Sequence, residues 1–408
     1  MKQKASYNIT VRLAFIALTK LVTFLTIPII ASGLGPEKYG IYNFVLSFGM
    51  YSFLLANWGF LAKGIREVAS NQSVNTVDDI VSTRLALWLI GTIIGTGIGF
   101  LIWKNSEISY LIILAQLSNL GTVFIVDFYF LGRKNTFIPG LLRFISQLLF
   151  LMLIYIFFMN DNSLLTLFII LIFIRLFEGL LFFGIFKLRS NTRTVPNIKF
   201  KKSLLILWSN FHLGLGSKMG LITLSLPLIL IPFYFSEAIL GIYSVAHKLF
   251  LLVITVFSVF SVVLAPQIIE YLKFDKNQQI KMYRKTLWAA GLVALLIGVA
   301  FYLIGVRVIE LLFEPIFQQA INYIPFFALL IPVWAIYIVT TSFINNLGLD
   351  NNYSKISVFH FIISVVLIVI TLKILDPRYT ILALGLSTLI ATIQLHKRVI
   401  NFINIKHG

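Results

Sequence analysis

The sequence predicts an all-α polytopic membrane protein, and three observations lead to that fold class. Of the 408 residues, 59% are apolar and only 12% are charged, whereas an average soluble domain is about half apolar and about a quarter charged. Long apolar runs recur along the whole chain, each close to the roughly 20 residues that a helix needs to cross a bilayer. The loops between the runs are short, so a soluble catalytic domain is not expected on either face.

Twelve of these apolar runs are predicted to be transmembrane helices. The first is longer than a cleavable signal peptide and carries Arg12 and Lys20, so we treat it as a span. The predicted spans are 9–32, 40–62, 80–103, 108–131, 137–158, 163–187, 204–234, 238–264, 286–306, 321–346, 355–374 and 379–396.

The basic residues determine the predicted orientation. Most of the 33 Lys and Arg residues fall in loops on the same side as the N-terminus when twelve spans are threaded. Short cytoplasmic loops are enriched in Lys and Arg, so we expect a multi-pass protein with both termini in the cytoplasm. Topology therefore explains the net charge of +18, and a nucleic-acid partner is not expected.

The two halves of the sequence repeat one another. Each half has a lysine, then a proline, then a glutamate followed by Gly-Ile-Tyr. These features are Lys20, Pro28 and Glu37–Tyr42 in the first half and Lys218, Pro227 and Glu237–Tyr243 in the second. The repeat predicts an N-terminal six-helix lobe (1–190), a basic cytoplasmic linker (191–203) and a C-terminal six-helix lobe (204–408), as in transporters with a site at the repeat interface. Both prolines are candidate hinges, because proline interrupts helix hydrogen bonding.

Several basic residues lie within the predicted spans. An ionised group at mid-bilayer costs about 2.5–3.5 kcal/mol, so it normally faces a wet cavity or a partner. Arg12 and Arg84 lie a turn from the cytoplasmic ends of their spans and can extend to the headgroups. The expected substrate-binding cations of a central cavity are Lys20, Arg175, Lys218, Lys248, Arg12 and Arg143. A cavity with excess positive charge favours an anionic cargo.

Two acids lie in the spans, Asp127 and Glu178, and each is a candidate to bind a coupling ion. Other interpretations stay open. Glu178 lies one turn from Arg175 and can pair with it, and Asp127 can pair with Arg133, Lys134 or a neighbouring helix. The polar residues predicted to line the same cavity are Asn57, Asn119, Asn210 and His212.

Catalytic, metal and cofactor sites are not predicted. The chain has no cysteine, its five histidines show no zinc-binding spacing, and no glycine-rich phosphate loop is present in the sequence. Transport would therefore draw on an ion gradient, the membrane potential or downhill flux of cargo.

Six short segments of the chain form a distinctive set of motifs. They are Leu34–Phe44, Asn57–Phe60, Gly64–Ala69, Gly241–Leu249, Ala265–Pro266 and Leu311–Ala320. Together they resemble the Wzx-type polysaccharide flippases of the multidrug/oligosaccharidyl-lipid/polysaccharide (MOP) superfamily, although Glu314 stands where glycine is expected. The resemblance covers most of the chain in order. The length departs from the related lipid II flippases, which usually have fourteen spans.

The resemblance implies two six-helix lobes related by a pseudo-two-fold axis and working by alternating access. It implies an undecaprenyl-pyrophosphate-linked O-antigen or capsule repeat unit as cargo, moved to the outer leaflet of the bacterial cytoplasmic membrane. Lys20 and Lys218 would hold the pyrophosphate with Arg175 and Lys248, and a proton or sodium gradient would drive the cycle. Membrane lipid, a polysaccharide polymerase and a chain-length regulator are the other expected partners.

Three other functions fit the sequence less well. A MATE-like small-molecule exporter would need acids lining the N-terminal lobe, and this chain has few. A polysaccharide polymerase or ligase would need a large external loop, which is absent from the predicted topology. A scaffold without transport activity would not need deep Lys and Arg residues.

Overall fold

A computed structural model describes residues 2–70, 75–104, 106–190, 200–209, 211–271 and 274–406, and the regular structure in these ranges is helical. The helices are α1 (Lys2–Ala56), α2 (Phe60–Ala69), α3 (Asn75–Trp103), α4 (Glu107–Ser118), α5 (Leu120–Val123), α6 (Asp127–Gly132), α7 (Phe137–Leu153), α8 (Met159–Asp161), α9 (Leu164–Ser190), α10 (Phe200–Ser209), α11 (Phe211–Leu230), α12 (Glu237–Tyr271), α13 (Lys276–Leu312), α14 (Ile324–Asn346), α15 (Asp350–Ile374) and α16 (Tyr379–Lys406). A π-helical turn (Ile154–Phe158) joins α7 to α8, and 3₁₀ turns occupy Ile231–Phe233 and Pro315–Tyr323.

Eleven helical stretches in these described ranges are long and apolar enough to cross a membrane. The first, Leu13–Ala56, has 44 residues. At 1.5 Å per residue it is about 66 Å long, roughly twice the hydrocarbon thickness of a bilayer. Its helical geometry is interrupted at Gly35 (φ 70°, ψ 170°), so this stretch supplies two spans. The predicted all-α fold with about twelve transmembrane helices is confirmed.

The interruption in α1 does not coincide with the proline that the sequence suggested as a hinge. The helix continues through Pro28, and its backbone leaves helical geometry only at Gly35, where a positive φ favours glycine. In the second half, α11 continues through Pro227 and ends three residues later. The hinge role of both prolines stays a prediction.

The chain divides into two compact units. The first comprises residues 1–34 and 41–214, and the second comprises residues 35–40 and 215–408. The division falls after Gly214, later than the predicted linker, most of which (191–199) lies outside the described residues.

The first unit is built around α9, which packs against α4, α5 and α7. Helix α3 packs against α4 and α10, and α2 packs against α6. Phenylalanines fill the interior, and Tyr129 contacts Phe186 edge to face, with ring centroids 4.7 Å apart.

The second unit is built around α14, which packs against α12, α13 and α16, while α15 packs against α16. Its interior includes stacked aromatic rings, among them Phe250 and Phe327 with centroids 5.0 Å apart. The buried polar groups of this unit are mostly hydroxyls and histidines.

Two glycines of the sequence repeat meet within the second unit. A Cβ atom on Gly40 would collide with the carbonyl oxygen of Glu237, and one on Gly241 would collide with that of Pro36. Pro36 lies four residues before Gly40 and Glu237 lies four residues before Gly241, so the two contacts are equivalent. The repeat is therefore visible in the structure as a symmetric, glycine-packed helix crossing.

Candidate functional site

The fourth span is broken inside the first unit. The apolar stretch Glu107–Gly132 is divided into α4, α5 and α6, with Asn119 and residues 124–126 outside the helices. Ser118 Oγ donates to the carbonyl of Ala115 at 2.8 Å, and Thr122 Oγ1 donates to that of Asn119 at 2.6 Å. Such bonds compete with regular helix hydrogen bonding. Because an unsatisfied backbone carbonyl is costly within a membrane, this break needs donors from neighbouring helices.

Arg84, on α3, supplies one of these donors. Its Nη1 donates to the carbonyl oxygen of Ile125 at 2.8 Å, and its Nη2 donates to Asn57 Oδ1. The residue is only 5% exposed. The sequence suggested that Arg84 extends to the headgroups, and the structure corrects that expectation. Depth along a span does not reveal which way a side chain faces, so no signal in the sequence pointed to this role.

Arg175, on α9, bonds to two side chains at the break. Its Nη1 donates to Ser118 Oγ at 3.0 Å and to Asn119 Oδ1 at 2.5 Å. Asn119 is held in turn by the bond from its Nδ2 to the carbonyl of Gly49 at 2.9 Å. The close approach of α5 and α9 depends on glycine, because a Cβ on Gly121 would collide with the backbone of Arg175.

An ion pair follows the break. Asp127 is the first residue of α6, and its Oδ2 accepts a 2.5 Å bond from Arg143 Nη2 on α7. The Asp127 side chain is 13% exposed and that of Arg143 is 50% exposed. Asp127 therefore pairs with a neighbouring helix, which was one of the alternatives that the sequence left open.

Two further charged residues surround this pair. Lys20, on α1, is exposed and lies within electrostatic reach of Arg143. Glu178, on α9, is partly buried and lies within electrostatic reach of Asp127, Arg143 and Arg175. The hydrogen bonds of Arg175 go to Ser118 and Asn119, so the suggested close pairing of Glu178 with Arg175 is replaced by longer-range attraction.

We call these six charged residues the ionic cluster. Its members are Lys20, Arg84, Asp127, Arg143, Arg175 and Glu178. When all are ionised, four cations stand against two carboxylates. The buried Arg84 and the partly buried Arg175 bond to the broken span, whereas Lys20 and Arg143 present charge at the surface of the unit. Chemically, the cluster can bind an anion at its exposed cations.

The structure brings together only part of the predicted set. Asn57 and Asn119 bond to the arginines of the cluster, as described above. His212 lies at the surface of the first unit and contacts the ring of Phe211, with centroids 5.6 Å apart. The side chain of Arg12 and the whole of Asn210 lie outside the described residues.

The remaining predicted cations belong to the second unit. Lys248, on α12, places its Nζ 4.9 Å from the ring centroid of Tyr39, a cation–π contact. Lys218, on α11, is partly buried. No group of three His, Cys, Asp or Glu residues suited to a metal ion occurs within the described part of the chain.

Comparison with known proteins adds a family and a fold. A family model described as "Polysaccharide biosynthesis protein" matches residues 5–272. No curated protein matches the chain.

Several solved structures share the fold at low sequence identity. An inward-facing multidrug resistance MATE family transporter of the MOP superfamily is 16% identical, with a TM-score of 0.70 over 97% of this chain and 98% of that chain. The lipid II flippase MurJ in an inward closed conformation is 14% identical, with a TM-score of 0.73 over 96% of this chain and 87% of that chain. A MOP superfamily transporter from Pyrococcus furiosus, described by the reverse polarity of its binding pocket, is 15% identical, with a TM-score of 0.63 over 98% and 95%.

Proposed function

Because the chain belongs to the polysaccharide biosynthesis protein family of the MOP flippase superfamily, we propose that it moves a lipid-linked oligosaccharide across the membrane. The proposed cargo is an undecaprenyl-pyrophosphate-linked repeat unit, carried from the cytoplasmic to the outer leaflet by alternating access. The observation that carries this proposal is the ionic cluster, whose two exposed cations lie beside a broken span.

Lys20 and Arg143 are the proposed contacts of the pyrophosphate. Arginine and lysine bind phosphate through charge-assisted hydrogen bonds, and these two cations are more exposed than Arg84. Arg175 is committed to Ser118 and Asn119, so we assign it to shaping the site rather than to binding cargo. We keep three further cations in the proposal, along the path of the cargo: Lys218, Lys248 and Arg12.

Glu178 is the preferred residue for binding a coupling proton or sodium ion. The carboxylate of Asp127 is already paired with Arg143, whereas Glu178 has no ion pair within 4.0 Å among the described residues. Cargo that binds two conformations equally well shifts neither, so directional transport needs such a gradient or removal of cargo outside.

Arg143→Gln tests the proposal in cells that accumulate the lipid-linked oligosaccharide. Loss of one charge-assisted contact is expected to lower the rate of appearance on the outer leaflet about tenfold to a hundredfold. The measurement is the fraction of lipid-linked oligosaccharide that a membrane-impermeant, sugar-binding lectin reaches on intact spheroplasts.

The matched control is Arg307→Gln, because Arg307 also pairs with an acid, Glu310 at 2.8 Å, but has a 76% exposed side chain and lies outside the cluster. The control variant should transport normally. Normal transport by Arg143→Gln at equal expression would reject the ionic cluster as the cargo site.

A small-molecule exporter is the second candidate, favoured by the shared fold with the multidrug MATE transporter. It predicts that cells lacking the protein become sensitive to small toxic compounds while the oligosaccharide reaches the outer leaflet unchanged. Oligosaccharide that crosses the membrane but stays unpolymerised would instead indicate that the protein is a polysaccharide polymerase.

A further inference from the structure

One guanidinium group bonds to two separate interruptions of the backbone. Residues 57–59 separate α1 from α2, and residues 124–126 separate α5 from α6. Arg84 donates to Asn57 in the first interruption and to Ile125 in the second. The two segments are distant in sequence, so this side chain ties together two breaks that the chain itself does not join.

Each interruption leads into a short helix, and the two short helices pack against each other. A Cβ on Gly64 of α2 would collide with the ring of Phe128 on α6. In the other direction, a Cβ on Gly132 of α6 would lie 2.8 Å from Cβ of Val68 on α2. We call α2 and α6 the short-helix pair. Glycine-mediated contact in both directions holds the pair together, while its connection to the longer helices runs through the two interruptions.

The chemistry of arginine suits this bridging position better than that of lysine. A guanidinium has five N–H donors in a rigid planar fork, so it can reach two acceptors on different segments. An ammonium is a single compact donor group on a flexible stem. Arg84 also retains a buried Nε without a hydrogen-bond partner, and it lies within electrostatic reach of Asp127 and Arg143.

We propose that Arg84 is a positioning residue that fixes the short-helix pair and thereby presents Asp127 to Arg143. Asp127 directly follows the interruption that Arg84 holds, so release of Ile125 frees the first turn of α6. The exposed cation Arg143 then loses its fixed partner. This inference rests on the geometry of the first unit and does not depend on the identity of the cargo.

The absence of native cysteine allows a direct test by single-cysteine labelling. Val126 lies in the second interruption and is 0% exposed, so Val126→Cys reports on opening at that point. Val45 on α1 is also 0% exposed, and Val45→Cys serves as the matched reporter elsewhere in the unit. The reaction rate of each cysteine with a water-soluble maleimide is measured on the purified full chain in detergent.

Adding Arg84→Lys is expected to raise the labelling rate of Val126→Cys about tenfold, the effect of losing one hydrogen bond to a charged group. The rate of Val45→Cys should stay unchanged. Equal rises at both reporters would show that Arg84 only stabilises the unit as a whole, and this would overturn the proposal. Full protection of Val126→Cys in Arg84→Lys would also overturn it, since charge alone would then suffice.

Asn57→Leu provides a second variant that leaves Arg84 in place. If one guanidinium couples the two interruptions, this variant should also raise the labelling rate of Val126→Cys. None of the described bonds of Asn57 goes to Val126, so the effect would have to pass through Arg84. Combining Asn57→Leu with Arg84→Lys should add little, because both act through the same bridge. Independent, additive effects would show that the two interruptions are not coupled. Since no cargo is used, the result is separable from the test of the proposed function.

Discussion

The interiors of the two units differ in chemistry although both are helical. The first unit holds the ionic cluster, including both carboxylates that the sequence places within spans. The second unit contains the cations Lys218 and Lys248, but the hydrogen bonds described between its helices join neutral groups. His360 Nε2 lies 3.2 Å from Thr388 Oγ1, and Ser364 Oγ donates to Ser387 Oγ at 2.7 Å.

The two halves of the repeat therefore share their helices but enclose different side chains. Hydroxyl and histidine pairs join neighbouring helices at low electrostatic cost, and such bonds contribute about 0.6 kcal/mol on average in membrane proteins. Buried charges are far more costly to keep unless they are paired or bonded. The presence of the ionic cluster in the described part of the chain is therefore not explained by packing alone.

Removing charge from the first unit should have the largest effect on stability. Arg175→Leu leaves Asn119 and Ser118 without their donor, so we expect the free energy of unfolding to fall by about 3 kcal/mol. Circular dichroism during thermal unfolding in detergent measures the change. Arg307→Leu is the exposed control and should shift the midpoint very little. Equal shifts in the two variants would show that the bonded Arg175 contributes no more to stability than the exposed Arg307.

The ion pair offers an intermediate test of the same comparison. Asp127→Asn leaves Arg84 and Arg143 near an uncharged amide. We expect the free energy of unfolding to fall by about 2 kcal/mol. Adding Arg143→Gln should recover part of this loss, because the uncompensated charge is then gone. A double-mutant cycle with a coupling energy of about 1–2 kcal/mol would confirm direct interaction, and a coupling near zero would contradict it.

The hydroxyl pair of the second unit should respond least. Ser364→Ala is expected to cost about 0.6 kcal/mol. Ser364 Oγ also lies 2.8 Å from the carbonyl of His360, and Ser387 Oγ donates to that of Leu384 at 2.9 Å, so each hydroxyl has a local acceptor. The double variant with Ser387→Ala should cost little more than the single one. A loss as large as that of Arg175→Leu would show that the second unit also depends on its polar interior.

Composition and apolar run length were sufficient to predict the fold class and the spans. The sequence also marked most members of the ionic cluster, because a charged residue inside an apolar run is conspicuous. It did not reveal the break in the fourth span. Ser118 and Asn119 interrupt that run without any proline, and the hydrophobic pattern continues through them. The break depends on donors from α3 and α9, which are tertiary contacts.

The bend in α1 shows the same limit. Pro28 was the obvious local signal, yet the backbone departs from helical geometry at Gly35, where the conformation requires a positive φ. Proline is compatible with a continuous helix when neighbouring packing supports it, so its presence alone does not locate a bend. The role of Arg84 was likewise hidden, since it depends on two interruptions that meet only in three dimensions.

The helix crossing at Gly40 and Gly241 constrains which codon changes the gene can tolerate. Glycine is encoded by GGN, and every missense change of one base introduces a residue with a Cβ atom. At either position that atom would meet a backbone carbonyl from the other copy of the repeat. Since a carbonyl cannot rotate aside as a side chain can, the two codons should vary only at the third base.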